Sequence, residues 1–210
     1  MYNVVGAINV ANAAELNAAL AAKYPHIIVT EDIESTNGFL VTSSTKIDLN
    51  GYTVTVTTGS NVNNRAFKVT NGTLEIYGGT VDAQGAATNL STKTGSAAGT
   101  GCYGGFRMEL GTTLIAHDLT LKNYRPWGLN VKVLGATAEL TNVTIVSSYG
   151  GGIEVTDDEG ADGTVTGYAS LTNCTMTQEG FYDWCSVPVS VSGNSTVDVY
   201  STTYSGEYGV

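Results

Sequence analysis

Along most of the chain, apolar and polar residues alternate with a period of two, in short runs broken by glycine, asparagine and threonine. Successive side chains of a strand point to opposite faces, so this pattern predicts many short, half-buried strands. One segment departs from it. ANAAELNAALAAKY, at 11–24, places Leu16 and Leu20 one helical turn apart among strong helix formers, which predicts an amphipathic helix. HIIVTEDIE, at 26–34, then returns to strand patterning.

The strand pattern repeats. KIDLNGYTV (46–54), TLEIYGGTV (73–81), TLIAHDLTL (113–121), TAELTNVTI (137–145), YASLTNCTM (168–176) and TVDVYSTTY (196–204) align in six rows. Every row carries threonine in one column: Thr53, Thr80, Thr120, Thr144, Thr175 and Thr203. Each row follows a shorter alternating strand, GFLVT at Gly38, AFKVT at Ala66, GFRME at Gly105, GLNVK at Gly128, GIEVT at Gly152 and PVSVS at Pro188, whose second and fourth residues are apolar. The threonines are 27, 40, 24, 31 and 28 residues apart. A unit of this size marks a stacked repeat, and the shortest units fall below the roughly 40 residues of a propeller blade.

What fits is one coil of a parallel β-helix per unit. Leu74 and Ile76 would line one inner wall, and Gly79 and Val81 the next. The corner between the walls is the column Gly51, Gly78, Asp118, Asn142, Asn173 and Ser201, residue types that accept a left-handed or side-chain-bonded turn. Stacked asparagines in it could bond from coil to coil. An open end of such a fold exposes unpaired strand edges, and the helix at 11–24 is suited to cover the first coil. The expected architecture is all-β, a single-stranded parallel β-helix with an N-terminal capping α-helix. It forms one domain over 1–210, with the helix at 11–24 and coils at 26–206. The last row runs into SGEYGV without a capping pattern, so the chain is expected to be a fragment of a longer one.

Composition agrees and removes several functions. Glycine contributes 26 residues, proline 3, and charged residues 13%, which reads as an all-β chain with tight corners rather than disorder. A net charge of -10 with nine Lys and Arg argues against a nucleic-acid surface. No apolar run has membrane-spanning length, so no membrane insertion is expected, and MYNVVGAINV lacks the regions of a signal peptide. Cys102, Cys174 and Cys185 form no metal-ligand spacing; Cys174, in a column with Leu119 and Val143, reads as a small core residue.

The run AAELNAALAA, IIVTEDIE, KIDLNGYTVTV, FKVTNGTLEIYGGTV resembles the start of right-handed parallel β-helix domains of the pectate-lyase-like superfamily. It is similar in particular to adhesin-like domains of gut bacterial surface proteins, in which phrases like VSGNSTVDVYSTTYSG recur. The resemblance extends from about Ala11 to Gly206 and implies a right-handed coil and an extracellular or bacterial cell-surface location. It specifies fold better than function, since the same scaffold carries lyases, hydrolases and adhesins.

Catalysis on that scaffold needs carboxylates grouped on neighbouring coils. The outward column Leu40, Lys68, Arg107, Asn130, Glu154 and Ser190 lacks such a group, and Asp48, Glu75, Ile115, Glu139, Ser170 and Asp198 is interrupted and reads as a solvated face. His117 shares a column with Asn50, Tyr77, Thr141, Thr172 and Tyr200 and reads as an exposed corner residue, with no partner nominated by spacing. VTDDEGADGTV concentrates Asp157, Asp158, Glu159 and Asp162. Its spacing departs from an EF-hand loop, so it reads as a solvated turn, with Ca²⁺ held by these four acids as the alternative; no other cofactor is expected.

The insertions carry more. Most leave from one corner, between the threonine strand and the next short strand, and would lie side by side on neighbouring coils. They contain Tyr103; Tyr124, Arg125 and Trp127; Tyr149; and Phe181, Tyr182, Asp183 and Trp184. Rings beside polar groups grip sugar faces or protein partners; alternatively these rings fold over the rod and cover its core. The expected function is a non-catalytic extracellular adhesin-like module that binds glycan or a host surface protein through these residues. A polysaccharide lyase or glycoside hydrolase acting on an acidic polysaccharide is the alternative, and a structural stalk the third reading.

Overall fold

The computed structural model of the chain describes residues 6–57, 65–83, 104–123, 129–147, 151–157, 165–178 and 187–206. Strand β1 (Ile8–Val10) leads into the helix α1 (Ala13–Ala21), after which the chain proceeds in rounds. The first round holds β2 (His26–Val29), β3 (Ile33–Ser35) and β4 (Phe39–Val41), and the second β5 (Thr45–Asp48), β6 (Thr53–Val56) and β7 (Phe67–Val69). In the next three the first two strands are continuous: β8 (Thr73–Ala83) with β9 (Phe106–Met108), β10 (Thr113–Asn123) with β11 (Leu129–Leu134), and β12 (Thr137–Ser147) with β13 (Gly151–Thr156). Then come β14 (Tyr168–Thr172), β15 (Thr175–Gln178) and β16 (Val189–Val191), followed by β17 (Thr196–Tyr200) and β18 (Thr203–Ser205).

Pairing is parallel between each strand and its counterpart one round on. First strands form the file β1-β2-β5-β8-β10-β12-β14-β17. Second strands continue the same sheet past a bend, through β3, β6, the far halves of β8, β10 and β12, then β15 and β18. Third strands form a separate six-stranded sheet, β4-β7-β9-β11-β13-β16. The fold is therefore all-β with parallel strands and, among the described residues, one short helix.

Inward side chains of the three files meet in a single apolar core. Ile47, Ile76, Ala116, Leu140 and Leu171 stack in the first file, and Val54, Val81, Leu121, Ile145 and Met176 in the second. In the third, Phe39, Phe67 and Phe106 are fully buried, with ring centroids 5.3 and 5.8 Å apart. Because each residue packs on its counterpart in the neighbouring rounds, no round buries its apolar face alone.

The bend between first and second strands is built as the sequence predicts. Gly51, Gly78, Asp118, Asn142, Asn173 and Ser201 all adopt positive φ, between 48° and 87°. Left-handed backbone is cheap for glycine and tolerable for Asn and Asp, whose short side chains bond locally. The amides also bond between rounds: Asn142 Nδ2 donates to Asp118 Oδ1 at 3.0 Å, and Asn173 Nδ2 to Asn142 Oδ1 at 2.6 Å. The threonine column is in register from Thr53 to Thr203.

Two segments sit two residues away from their predicted rows. Ile47, not Leu49, pairs with Ile76, so Lys46 lies beside Glu75 and Asp48 beside Tyr77. The extra residues are absorbed at the bend, where Asn50 and Gly51 are both left-handed, with φ of 51° and 87°. Likewise Val131, not Leu129, pairs with Phe106, which puts Lys132 beside Arg107. A two-residue slip preserves which face each side chain occupies, so alternation alone could not detect either.

Helix α1 is shorter than the predicted 11–24 and packs Leu16, Ala19 and Leu20 onto the core. Asn12 caps its start by accepting from Glu15 N at 3.0 Å, and Glu15 Oε2 accepts from Ala11 N at 2.8 Å. At its end Lys23 N–H donates to Leu20 O and Tyr24 N–H to Ala19 O, a Schellman closure that forces Lys23 to φ 59°. Lys23→Gly should remove that backbone cost and stabilise the protein by about 1 kcal/mol, read as a rise in thermal midpoint.

Candidate functional site

After the short turn from β3 to β4 in the first round, five further connections join second to third strands: β6 to β7, β8 to β9, β10 to β11, β12 to β13 and β15 to β16. Their departure points are stacked. Val56, Ala83, Asn123, Ser147 and Gln178 are register partners from round to round. The return strands are in register as well, through Phe67, Phe106, Val131, Ile153 and Val189. All five segments are thus anchored along one edge at the strand spacing of about 4.8 Å. The connection from β13 to β14, which holds most of the acidic loop, leaves from a different corner.

Tyr103, Tyr124, Arg125, Trp127, Tyr149, Phe181, Tyr182, Asp183 and Trp184 belong to these connections by sequence and lie outside the described residues. So do Asp158, Glu159 and Asp162. Asp157 is described: its Oδ1 accepts from Thr156 Oγ1 at 3.0 Å, and its carboxylate packs against Gly193, where a Cβ would come within 2.6 Å of Oδ2. Among the described residues no three His, Cys, Asp or Glu side chains are grouped so as to hold a metal. Among them, too, no helix is long and apolar enough to cross a membrane. Cys174 is free and buried, and burial pushes its thiol up from the usual range, as suits a core residue.

The outer face of the first file carries a polar cluster that spacing did not disclose. His117 stacks on Tyr77 with ring centroids 4.7 Å apart and planes 8° from parallel. Its Nδ1 lies 3.1 Å from Asp118 Oδ2 and its Nε2 3.4 Å from Glu75 Oε1. Lys46 Nζ donates to Glu75 Oε1 at 2.7 Å and sits 4.7 Å from the centre of the Tyr77 ring. His117 therefore has acidic partners after all, one of them 42 residues away. The hydrogen bond from Lys46, and secondly that with His117, hold the Glu75 carboxyl below its usual range. His117 and Asn142 do the same for Asp118.

The outer face of the third file carries a charged row. Lys68, Arg107 and Lys132 occupy successive rounds. Glu109 Oε1 accepts from Lys68 Nζ and from Arg107 Nε, each at 2.8 Å, and Lys132 Nζ lies 3.4 Å from Glu154 Oε2. Burial alone would raise the Glu109 carboxyl, but its two cationic partners outweigh this and hold it low. A carboxyl depressed in the folded state contributes stability above its unfolded pKa and loses it as pH falls through the folded value. Glu75, Glu109 and Asp118 should therefore make the protein acid-labile below about pH 4. Glu109→Gln should lower the thermal midpoint at neutral pH and flatten its fall between neutral and acidic buffer.

Comparisons with protein-family models, with curated proteins and with solved structures each gave no match for this chain.

Proposed function

We infer that the chain is a right-handed parallel β-helix serving as a non-catalytic, adhesin-like binding module at an extracellular or bacterial cell surface. Its ligand is a glycan or a host surface protein. The observation that carries this reading is the common edge from which the five connections leave. A stack of parallel strands is a rigid support, and segments of unequal length anchored on adjacent rounds supply varied chemistry along one side of it. Both tryptophans of the chain belong to these segments. The handedness follows the strong preference of parallel strands in one sheet for right-handed connections.

The test is binding to a glycan and mucin array by the intact protein and by Trp127→Ala and Trp184→Ala. Binding lost in the variants, with unchanged circular dichroism, supports the module. Release of unsaturated or reducing sugar ends from an acidic polysaccharide replaces it with the lyase or hydrolase reading. Absence of both leaves the rod as a stalk.

A further inference from the structure

On the outer face of the first file, two strands with short outward side chains near the bend lie between two rings; this strip, the trough, is separate from the edge that carries the connections. Its floor is β12 and β14, whose outward side chains are short near the bend: Thr141 pairs with Thr172. Along the same row the flanking rounds carry rings, His117 on β10 and Tyr200 on β17. Tyr200 is 55% exposed. His117 has one face against Tyr77, and Thr141 is too short to cover the other. The two rings are three strand steps apart, about 14 Å, so the floor between them, two strands across, is about 10 Å wide.

The chemistry along the trough is that of uncharged hydroxyl recognition. Glu139 and Thr141 are exposed on its floor, and the Asn142–Asn173 amide ladder borders it at the bend. Toward the other end, Tyr168 Oη is tethered to Asp198 Oδ2 at 2.9 Å. Rings accept the C–H faces of sugars, while carboxylate and amide groups take their hydroxyls. Strands β12, β14 and β17 contain no Lys or Arg, and Glu139, Asp198 and Asp118 surround the trough. That field repels uronic and sialic acids.

We propose that this trough is a binding site for a neutral oligosaccharide chain lying across the strands between His117 and Tyr200. The experiment is calorimetric titration of the whole chain with short neutral gluco-, manno- and chito-oligosaccharides, with oligogalacturonate as the acidic comparison. At least one neutral probe should bind. Its affinity should fall about tenfold or more in Tyr200→Ala and in Thr141→Trp, which fills the floor, and oligogalacturonate should bind more weakly than the neutral probe. Both substitutions are at exposed positions, and thermal melting checks that the variants remain folded. Binding that survives Trp127→Ala and Trp184→Ala but is lost in Tyr200→Ala belongs to the trough and not to the connections. The proposal is overturned if no neutral probe binds, if both trough variants bind normally, or if the acidic probe is preferred.

Discussion

Phe67→Ala is expected to destabilise the protein by about 3–5 kcal/mol, the usual cost of deleting a buried ring and leaving a cavity. Phe67 is fully buried between Phe39 and Phe106, with centroids 5.3 and 5.8 Å away, so the loss breaks contacts to the rounds on both sides. In a stacked repeat, stability is carried by interfaces between neighbours, and one broken interface weakens a long stretch. Urea denaturation followed by circular dichroism should show a large fall in midpoint. Phe39→Ala and Phe67→Ala combined should cost less than the sum, since they remove a shared contact. A loss under about 1 kcal/mol for Phe67→Ala would mean that the phenylalanine stack does not join the rounds.

Gly79→Leu should be as damaging, although the repeat would recommend it. Gly79 stands in register with Leu119, so an argument from the rows alone favours leucine. The neighbouring round forbids it. A Cβ on Gly79 would meet Tyr52 O and come within 2.6 Å of Leu49 Cβ, because the longer bend of that round carries Leu49 into the core. Backbone cannot step aside as a side-chain end can, so overpacking of about 3 kcal/mol or failure to fold is expected. Leu119→Ala in the round above should instead behave as a simple cavity, at about 2–5 kcal/mol. A folded Gly79→Leu variant of unchanged stability would contradict the placement of Leu49.

These two substitutions also mark how far the sequence could be read. Period-two alternation, the threonine column and the corner column of Gly, Asp, Asn and Ser sufficed for the parallel rounds, because each records a constraint repeated in every round. Register in individual rows was less legible. Leu49 and Ile47 share a face, as do Leu129 and Val131, so shifting either row by two residues leaves its apolar pattern intact. The Asn50–Gly51 pair was the available signal, since consecutive left-handed residues mark a longer turn.

That shift hid part of the cluster on the first file, since with KID misplaced Lys46 had no reason to meet Glu75. The row of His117 is where the sequence puts it, opposite Tyr77; its acid, Glu75, stands two residues along the neighbouring strand, a diagonal contact that single columns do not show. On the third file the corresponding shift hid Lys132 alone, with Asn130 standing in its place in the outward column. The candidate aromatic residues are a different case. Their positions outside the repeating rows are plain from sequence, and the rows anchor their segments at one edge, but repetition carries no information about segments that do not repeat.

The common edge depends on the rounds being stacked in register, and a distance measurement tests this most directly. Spin labels placed at Thr53 and Thr203, with Cys102 and Cys185 changed to serine, lie at the two ends of the threonine column. Five strand steps separate them, so a narrow distribution centred near 24 Å is expected. A broad distribution, or a centre more than about 10 Å from that value, would contradict the stacking and with it the single edge on which the functional reading rests.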